Sequence, residues 1–259
     1  MRRAVLVLLV AFAVAPLLWA LVASFRPFGV EGGTLTLANY GALFEERDFW
    51  LPIRNSLVVA STTTIFCIVI GSMAAYALAR LRFAYKRVIL SAILATTMFP
   101  QIAIVIPLFL LLRTLRLIDT YPGLILPYIT FAMPLCVWLL TGYFRQIPRD
   151  IDEAALMDGA TRWTIFRRMI VPLSMPAIVT TAIITFIYCW NEFLFALAFT
   201  LGKERQTVPV AIALFRGRYE VPWGQVLAAA IVATVPVCAR MLAFQRRIVQ
   251  GLTAGAVKG

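Results

Sequence analysis

The stretch RDIDEAALMDGATRWTIFRRMIVPLSMPA, residues 149–177, differs from the rest of the chain because it is polar. It contains four carboxylates and four arginines among residues that favour helix, and apolar segments precede and follow it. Asp150 and Asp152 suit the first turn of a helix, where the helix dipole stabilises negative charge. Gly159 suits the position just after a helix, and Thr161 can cap a second one. The pattern predicts a helix–turn–helix over 149–171, with Pro172 at the boundary with the next apolar segment.

One face of this helical hairpin is apolar. Its predicted members are Ile151, Ala154, Ala155, Trp163, Ile165 and Phe166. Amphipathic helices of this kind lie on a membrane or in the groove of a partner protein. Membrane-surface helices are usually rich in Lys and Arg, whereas the first helix here begins with acidic residues. The pattern therefore favours a protein partner.

The composition places the chain among membrane proteins. Of its 259 residues, 62% are hydrophobic and only 14% are charged, and the mean hydropathy is +0.89. Soluble domains are far less apolar and carry more charge. There are 24 basic and 12 acidic residues, which gives a net charge of +12. In a membrane protein such an excess indicates basic loops that fix orientation, so we expect no nucleic-acid partner.

Six apolar segments are long enough to cross a membrane as helices. Their approximate bounds are 4–25, 56–79, 88–112, 124–142, 174–199 and 223–244. The predicted fold is therefore all-α, a single polytopic membrane domain over 1–259 with a cytoplasmic tail at 245–259. The first segment also resembles a signal peptide, but its length favours a retained helix. Prolines inside the segments predict kinks; these are Pro16, Pro100, Pro107, Pro127, Pro134 and Pro236.

Basic residues in the short loops predict the orientation of the chain. The loop ARLRFAYKR, 79–87, has four basic and no acidic residues, whereas 26–55 has three basic and four acidic ones. Because basic loops stay on the cytoplasmic side, we expect both termini and the 149–171 hairpin to be cytoplasmic.

The sequence offers little for catalysis. There is no histidine, and each of the four cysteines lies alone in a different apolar segment. No GxxxxGK[ST] motif is present, so the chain cannot hydrolyse ATP by itself. We therefore expect no catalytic residue, no cofactor and no metal ligand in this chain.

The hairpin resembles the EAA loop of ATP-binding-cassette importer permeases. The family pattern is E-A-A, two residues, D-G-A, eight residues and then I-x-L-P. Here Glu153-Ala154-Ala155 and Asp158-Gly159-Ala160 are followed, after eight residues, by Met169-Ile170-Val171-Pro172. Met169 and Val171 are apolar replacements of the usual residues. The segments NSLVVASTTTIFCIVIGSMAAYALARLRF, GLILPYITFAMPL, WNEFLFAL and GLTAGAVKG extend the resemblance to the carbohydrate-uptake branch, the maltose-type and trehalose-type second permease subunits.

The resemblance implies a type I importer permease in the cytoplasmic membrane of a bacterium or archaeon. Its partners would be a second permease subunit, two ATP-binding subunits that bind ATP and Mg²⁺, a periplasmic or lipid-anchored solute-binding protein, and a sugar. The EAA loop, 149–172, would dock in a groove of an ATP-binding subunit. The implied coupling residues are Glu153, Ala154, Ala155, Asp158, Gly159 and Pro172.

The C-terminal end also has an implied role. By the same resemblance it would reach between the ATP-binding subunits through Gln250, Gly251, Leu252 and Thr253. The ending GLTAGAVKG is flexible by composition, so a disordered tail without such a contact is the alternative.

Three polar residues in the apolar segments are candidates for a translocation path. Glu192 is the only carboxylate within a predicted span, Asn191 precedes it, and Gln101 follows Pro100 in the third segment. An ionisable group inside a membrane indicates function by default, but a structural hydrogen bond is the alternative. Aromatic Tyr188 and its neighbours could stack on a sugar. A proton-coupled secondary transporter that uses Glu192 is the rival interpretation of the whole chain.

Overall fold

The computed structural model describes residues 2–26, 34–215 and 221–256, and the side chains of 5–26, 34–215 and 221–239. Within these ranges the chain is helical and has no strand. The helices are α1 Arg2–Ser24, α2 Ala38–Glu45, α3 Trp50–Arg80, α4 Lys86–Ala95, α5 Gln101–Thr114, α6 Tyr121–Gln146, α7 Asp150–Met157, α8 Arg162–Ile165, α9 Val171–Leu173, α10 Met175–Trp190, α11 Leu194–Phe199, α12 Val208–Ala213 and α13 Trp223–Ala256. The all-α prediction is confirmed for these residues.

Helices α3 and α6 form the centre of the bundle, and they run parallel. Near their first residues the Tyr121 hydroxyl donates to Asn55 Oδ1 at 2.7 Å. At their other ends Arg80 donates to the carbonyl of Ile147 at 2.7 Å. Parallel neighbours need a returning connection, and α4 and α5 supply it.

Small residues allow α3 and α6 to approach closely. A Cβ atom added to Gly71 would lie 2.9 Å from Sγ of Cys136, which is inside the usual contact distance. The Cys136 thiol in turn donates to the carbonyl of Cys67 at 3.2 Å. Both cysteines are buried and unpaired, as expected for small packing residues in a helix contact.

Several predicted spans are not single straight helices. Only α1, from Val5, together with α3 and α6, is long and apolar enough to cross a membrane without interruption among the described residues. The third segment is broken: α4 continues into a short 3₁₀ turn and then meets α5 at 91°. Pro100 lies at this break, where a proline has no N–H for a continuing helix. The kink predicted at Pro100 is confirmed, and the third segment consists of two helices that meet at this kink.

The fifth segment is also broken, and in two places. The chain bends by 78° between the helical stretch that ends at Leu173 and α10. Helix α10 then ends at Trp190, and α11 begins at Leu194. The predicted segment 174–199 is therefore helical, but residues 191–193 interrupt it. If each bent pair counts as one span, the described chain offers up to five spans.

The C-terminal tail differs from its prediction. Helix α13 continues from Trp223 to Ala256, so the backbone of 251–256 is helical rather than irregular. Gly251 and Gly255 have not stopped the helix, although glycine weakens helices. The side chains of Gln250, Gly251, Leu252 and Thr253 lie outside the described residues.

Candidate functional site

The EAA loop has the predicted helix–turn–helix form. Helix α7 ends at Met157, and Gly159 has φ = +78°, the left-handed conformation that glycine adopts readily. The Thr161 hydroxyl then accepts a hydrogen bond from the backbone N–H of Thr164 at 3.2 Å and caps α8. The cap and the glycine turn are both confirmed. Residues Phe166–Ile170 form a π-helical turn, a feature that often occurs at functional sites.

A buried ion pair connects the EAA loop to the bundle. Nη1 of Arg80, the last residue of α3, lies 3.3 Å from Oδ2 of Asp152 in the first turn of α7. The two side chains are only 3% and 8% exposed. Sequence reasoning placed Asp152 at a helix start and counted Arg80 as a loop charge, and it missed this contact. Two features of the sequence could have predicted this ion pair. One is an arginine at the end of an apolar helix, and the other is an acidic residue at the start of the hairpin.

A second contact from α3 holds the other arm of the loop. The ring of Tyr76 lies 5.2 Å from the ring of Phe166, centroid to centroid. Tyr76 and Arg80 are four residues apart and so lie on one face of α3. One face of a membrane-length helix therefore contacts both helical arms of the loop.

The exposed face of the loop only partly matches the prediction. Ala155, Ile165 and Phe166 are buried, because they pack against the bundle rather than facing outward. The exposed surface is instead formed by Glu153, Ala154, Leu156, Met157, Asp158 and Trp163. Met157 is 89% exposed, so an apolar side chain stands free at the tip of α7. Large exposed apolar groups rimmed by polar ones are typical of a protein-binding surface.

Pro172 does not mark the boundary at which the chain turns. It is exposed and lies inside α9, and the bend follows at Ser174. Proline is tolerated in the first turn of a helix because its missing N–H would have no partner there. The boundary predicted at Pro172 is therefore displaced by two residues.

The breaks in the third and fifth segments come together. Nε2 of Gln101, the first residue of α5, donates to the hydroxyl of Tyr188 at 2.7 Å, and Tyr188 lies near the end of α10. Helix α11 also packs against α5 and α6. Asn191 is exposed, and its side-chain amide donates to the carbonyl of Ile187 at 2.8 Å. The structure thus gathers polar side chains where two broken helices meet.

Glu192 lies between two helices rather than within one. Its two carboxylate oxygens accept hydrogen bonds from the backbone N–H groups of Phe195 at 2.8 Å and Ala196 at 3.1 Å. A carboxylate at this position satisfies N–H groups that have no partner at a helix start. Glu192 is 9% exposed, so these bonds form away from the surface of the chain.

Most of the aromatic side chains near Glu192 are already packed. Trp190 is buried and stacked on Phe186 at 5.6 Å. Phe195 is buried between Phe131 and Phe199. Phe193 is exposed, and Tyr188 is half-buried. Phe193 and Tyr188 are therefore accessible enough to stack on a sugar ring, whereas Trp190 and Phe195 are not.

Two solved structures with a similar fold are ABC transporters. A bacterial ABC transporter involved in the import of the acidic polysaccharide alginate contains a chain with TM-score 0.78 and 23% identity, over 95% of this chain and 94% of that one. A chain of the MetNI methionine ABC transporter in an inward-facing conformation gives TM-score 0.65 and 19% identity, over 80% and 99%. At these identities the likeness shows the fold, which is that of an ABC importer permease.

The sequence comparisons define the family. The family described as binding-protein-dependent transport system inner membrane component matches residues 67–254, and the chain belongs to it. The trehalose transport system permease protein SugB of Mycobacterium tuberculosis is 48% identical over 97% of this chain and 95% of that protein. The trehalose/maltose transport system permease protein MalG of Thermococcus litoralis is 41% identical over 98% and 94%. The resemblance seen in the EAA loop is confirmed.

Proposed function

We propose that this chain is one of two permease subunits of an ATP-driven importer for a sugar, in the class of small oligosaccharides such as trehalose or maltose. The single observation that carries this proposal is the similarity along nearly the whole chain to permeases of trehalose and maltose transport systems. The substrate class follows from those relatives.

The EAA loop is the proposed docking element for an ATP-binding subunit. Its outward surface carries Glu153, Ala154, Met157 and Trp163, and its inward surface is fixed to α3. A loop held in this way transmits a displacement of its outer face to a membrane helix. Closure of the ATP-binding subunits on ATP and Mg²⁺ would thereby favour one of two bundle conformations, which is alternating access by population shift. Ala155 is one of the coupling residues that the family resemblance implies. Because it is buried against the bundle, we expect it to support the loop rather than to contact the partner.

The polar cluster at the helix breaks is the proposed wall of the translocation path. Gln101, Tyr188 and Asn191 lie where α5 and α10 interrupt the regular bundle. Irregular backbone at membrane depth is found where it lines a water-filled cavity or is buried in protein. Phe193 is exposed two residues after Asn191. An aromatic face near several hydrogen-bonding groups would suit a sugar.

The remaining architecture follows from the same proposal. The domain 1–259 would cross the cytoplasmic membrane of a bacterium or archaeon six times, with both termini and the EAA loop in the cytoplasm. Helices α3 and α6 run parallel, so the chain between the end of α3 and the start of α6 would cross the membrane an odd number of times. The partners would be the second permease subunit, two ATP-binding subunits and a periplasmic or lipid-anchored solute-binding protein, and the α13 tail around Gln250–Thr253 would approach the ATP-binding subunits.

The rival function, proton-coupled transport without an ATPase, depends on Glu192. Both oxygens of its carboxylate already accept backbone N–H groups, which is a structural arrangement. Nothing else in the described cluster supplies a second carboxylate for a proton relay.

The test is to express the chain with its candidate partners and to measure ATP hydrolysis in vesicles. We expect a solute-binding protein loaded with a disaccharide to stimulate hydrolysis, and the unloaded protein to stimulate it much less. Sugar uptake by this chain alone, driven by a proton gradient and independent of ATP, would favour the rival instead.

A further inference from the structure

A basic cavity lies beside the EAA loop. Its volume is about 580 Å³, and it is open on one side and lined by the end of α3, the segment 81–85, the start of α4, the end of α6 and the residue before α7. Five of its nine lining residues are cationic, and none is acidic. The cationic residues are Arg80, Lys86, Arg87, Arg145 and Arg149.

The charges in this cavity are mostly uncompensated. Among the described side chains, only Arg80 has a carboxylate within ion-pair distance, and that partner is Asp152. Arg80 is buried, and its guanidinium is also bonded to the carbonyl of Ile147. The other four cationic residues of the cavity have no such carboxylate partner within the described chain. The cavity therefore gathers four cations that no acidic side chain neutralises.

The helix dipoles do not explain the arrangement. Arg80 and Arg145 lie in the last turns of α3 and α6, where positive charge is favourable. Lys86 and Arg87, however, form the first turn of α4, which has no acidic residue and no side-chain cap. Positive side chains at the positive end of a helix repel it. An anion in the cavity would accept hydrogen bonds from this helix start and neutralise both side chains.

We propose that this cavity binds a phosphate group, supplied by the headgroup of an anionic phospholipid. Aromatic Phe83 and Tyr85 line the same cavity and are exposed, as residues at the boundary of a membrane often are. Lys86 also lies 5.3 Å from the centre of the Phe83 ring. Basic pockets between membrane helices are suited to anionic headgroups. The site goes beyond the transport function, and its test does not depend on any sugar.

The experiment is native mass spectrometry on the full chain in detergent, alone and assembled with its ATP-binding subunits. The probes are short-chain phosphatidylglycerol, phosphatidylcholine with the same acyl chains, and inorganic phosphate. We expect phosphatidylglycerol to remain bound in both preparations and phosphatidylcholine to bind much more weakly. Inorganic phosphate should displace phosphatidylglycerol only at far higher concentration. Equal competition would keep the phosphate site but assign it to free phosphate.

Matched variants distinguish this cavity from general basic charge. Lys86→Gln and Arg149→Gln, which remove cationic lining residues from two different elements, should each weaken binding by about fivefold, the effect of one basic group near an anionic surface. Arg82→Gln removes one charge from the same segment, but Arg82 is exposed and does not line the cavity, so binding should be unchanged. Equal losses in all three variants, or equal binding of both lipids, would overturn the proposal. Loss of the lipid on assembly with the ATP-binding subunits would also overturn it, because a protein surface would then fill the cavity.

Discussion

The guanidinium of Arg80 and the carboxylate of Asp152 lie 3.3 Å apart between the last residue of α3 and the first turn of α7, both buried. Arg80 also donates to the carbonyl of Ile147, just before the EAA loop. A rigid contact of this kind makes the loop and the helix move together. The pair therefore connects the exposed face of the EAA loop with α3, a helix that is long and apolar enough to cross a membrane.

Breaking this pair should damage both stability and coupling. Asp152→Ala leaves Arg80 buried without its carboxylate, and such a loss costs about 3–5 kcal/mol. We expect a lower unfolding temperature of the detergent-purified chain and ATP hydrolysis that no longer responds to loaded binding protein. The double variant Arg80→Met/Asp152→Leu removes both charges and should recover much of the stability. If Asp152→Ala is as stable and as well coupled as the exposed control Asp150→Ala, the pair has no such role.

Glu153, the neighbour of Asp152, should behave in the opposite way. Its side chain is exposed, so Glu153→Lys should lower the free energy of unfolding by only about 1 kcal/mol, through the dipole at the start of α7. In the assembly it would put a positive charge against the basic groove expected on the partner, where like charges cost several kcal/mol. The measurement is copurification of the ATP-binding subunit, which we expect to be lost. A charge-reversing change on that subunit should partly restore it, whereas normal copurification of Glu153→Lys would contradict the docking surface.

Gly159 permits a test of backbone conformation without steric contacts. Its φ is +78°, and a Cβ added there would meet no atom within 4 Å. Gly159→Val should therefore cost about 1–2 kcal/mol through left-handed strain alone, and Gly159→Asn should cost less because asparagine tolerates this region. Thermal unfolding of the purified chain measures both. The control is Gly142→Ala, in the interior of α6 and equally free of contacts, which should be neutral or stabilising. Equal effects of the valine and asparagine variants would argue against strain.

Glu192 provides a comparison between hydrogen bonding and charge. In Glu192→Gln one amide oxygen can still accept a backbone N–H, whereas Glu192→Ala leaves the N–H groups of Phe195 and Ala196 unsatisfied. Each unsatisfied buried donor costs about 1–3 kcal/mol, so the alanine variant should be the less stable and the less active in transport. Equal and complete loss of transport in both variants, with normal assembly, would point to a charge or proton role.

The orientation of the chain can be tested by labelling single cysteines. In a background without the four native cysteines, Leu35→Cys, Tyr85→Cys and Met157→Cys each place a thiol at an exposed position. A membrane-impermeant reagent applied outside should label position 35 only, because the basic loops are expected to be cytoplasmic. Outside labelling at 85 or 157 would reverse the orientation.

Local patterns in the sequence were sufficient for features that depend on neighbouring residues. The helix stop at Gly159, the cap at Thr161 and the kink at Pro100 follow from backbone geometry, which a few adjacent residues determine. The apolar segments and the EAA spacing predicted the class of protein for the same reason, since both are patterns along the chain.

The tertiary structure decided what depends on distant residues. Arg80 and Asp152 are separated by about seventy positions, and only the parallel course of α3 and α6 brings them together. Whether Ala155 and Phe166 face a partner or the bundle also depended on where α3 lies, because periodicity gives an apolar face but not its neighbour. For Glu192, hydropathy placed the carboxylate inside a span. Helix α10 ends at Trp190, however, and the carboxylate accepts hydrogen bonds from two backbone N–H groups at the start of α11. A charge in an apolar segment can line a path or cap a helix, and the backbone around it decides which.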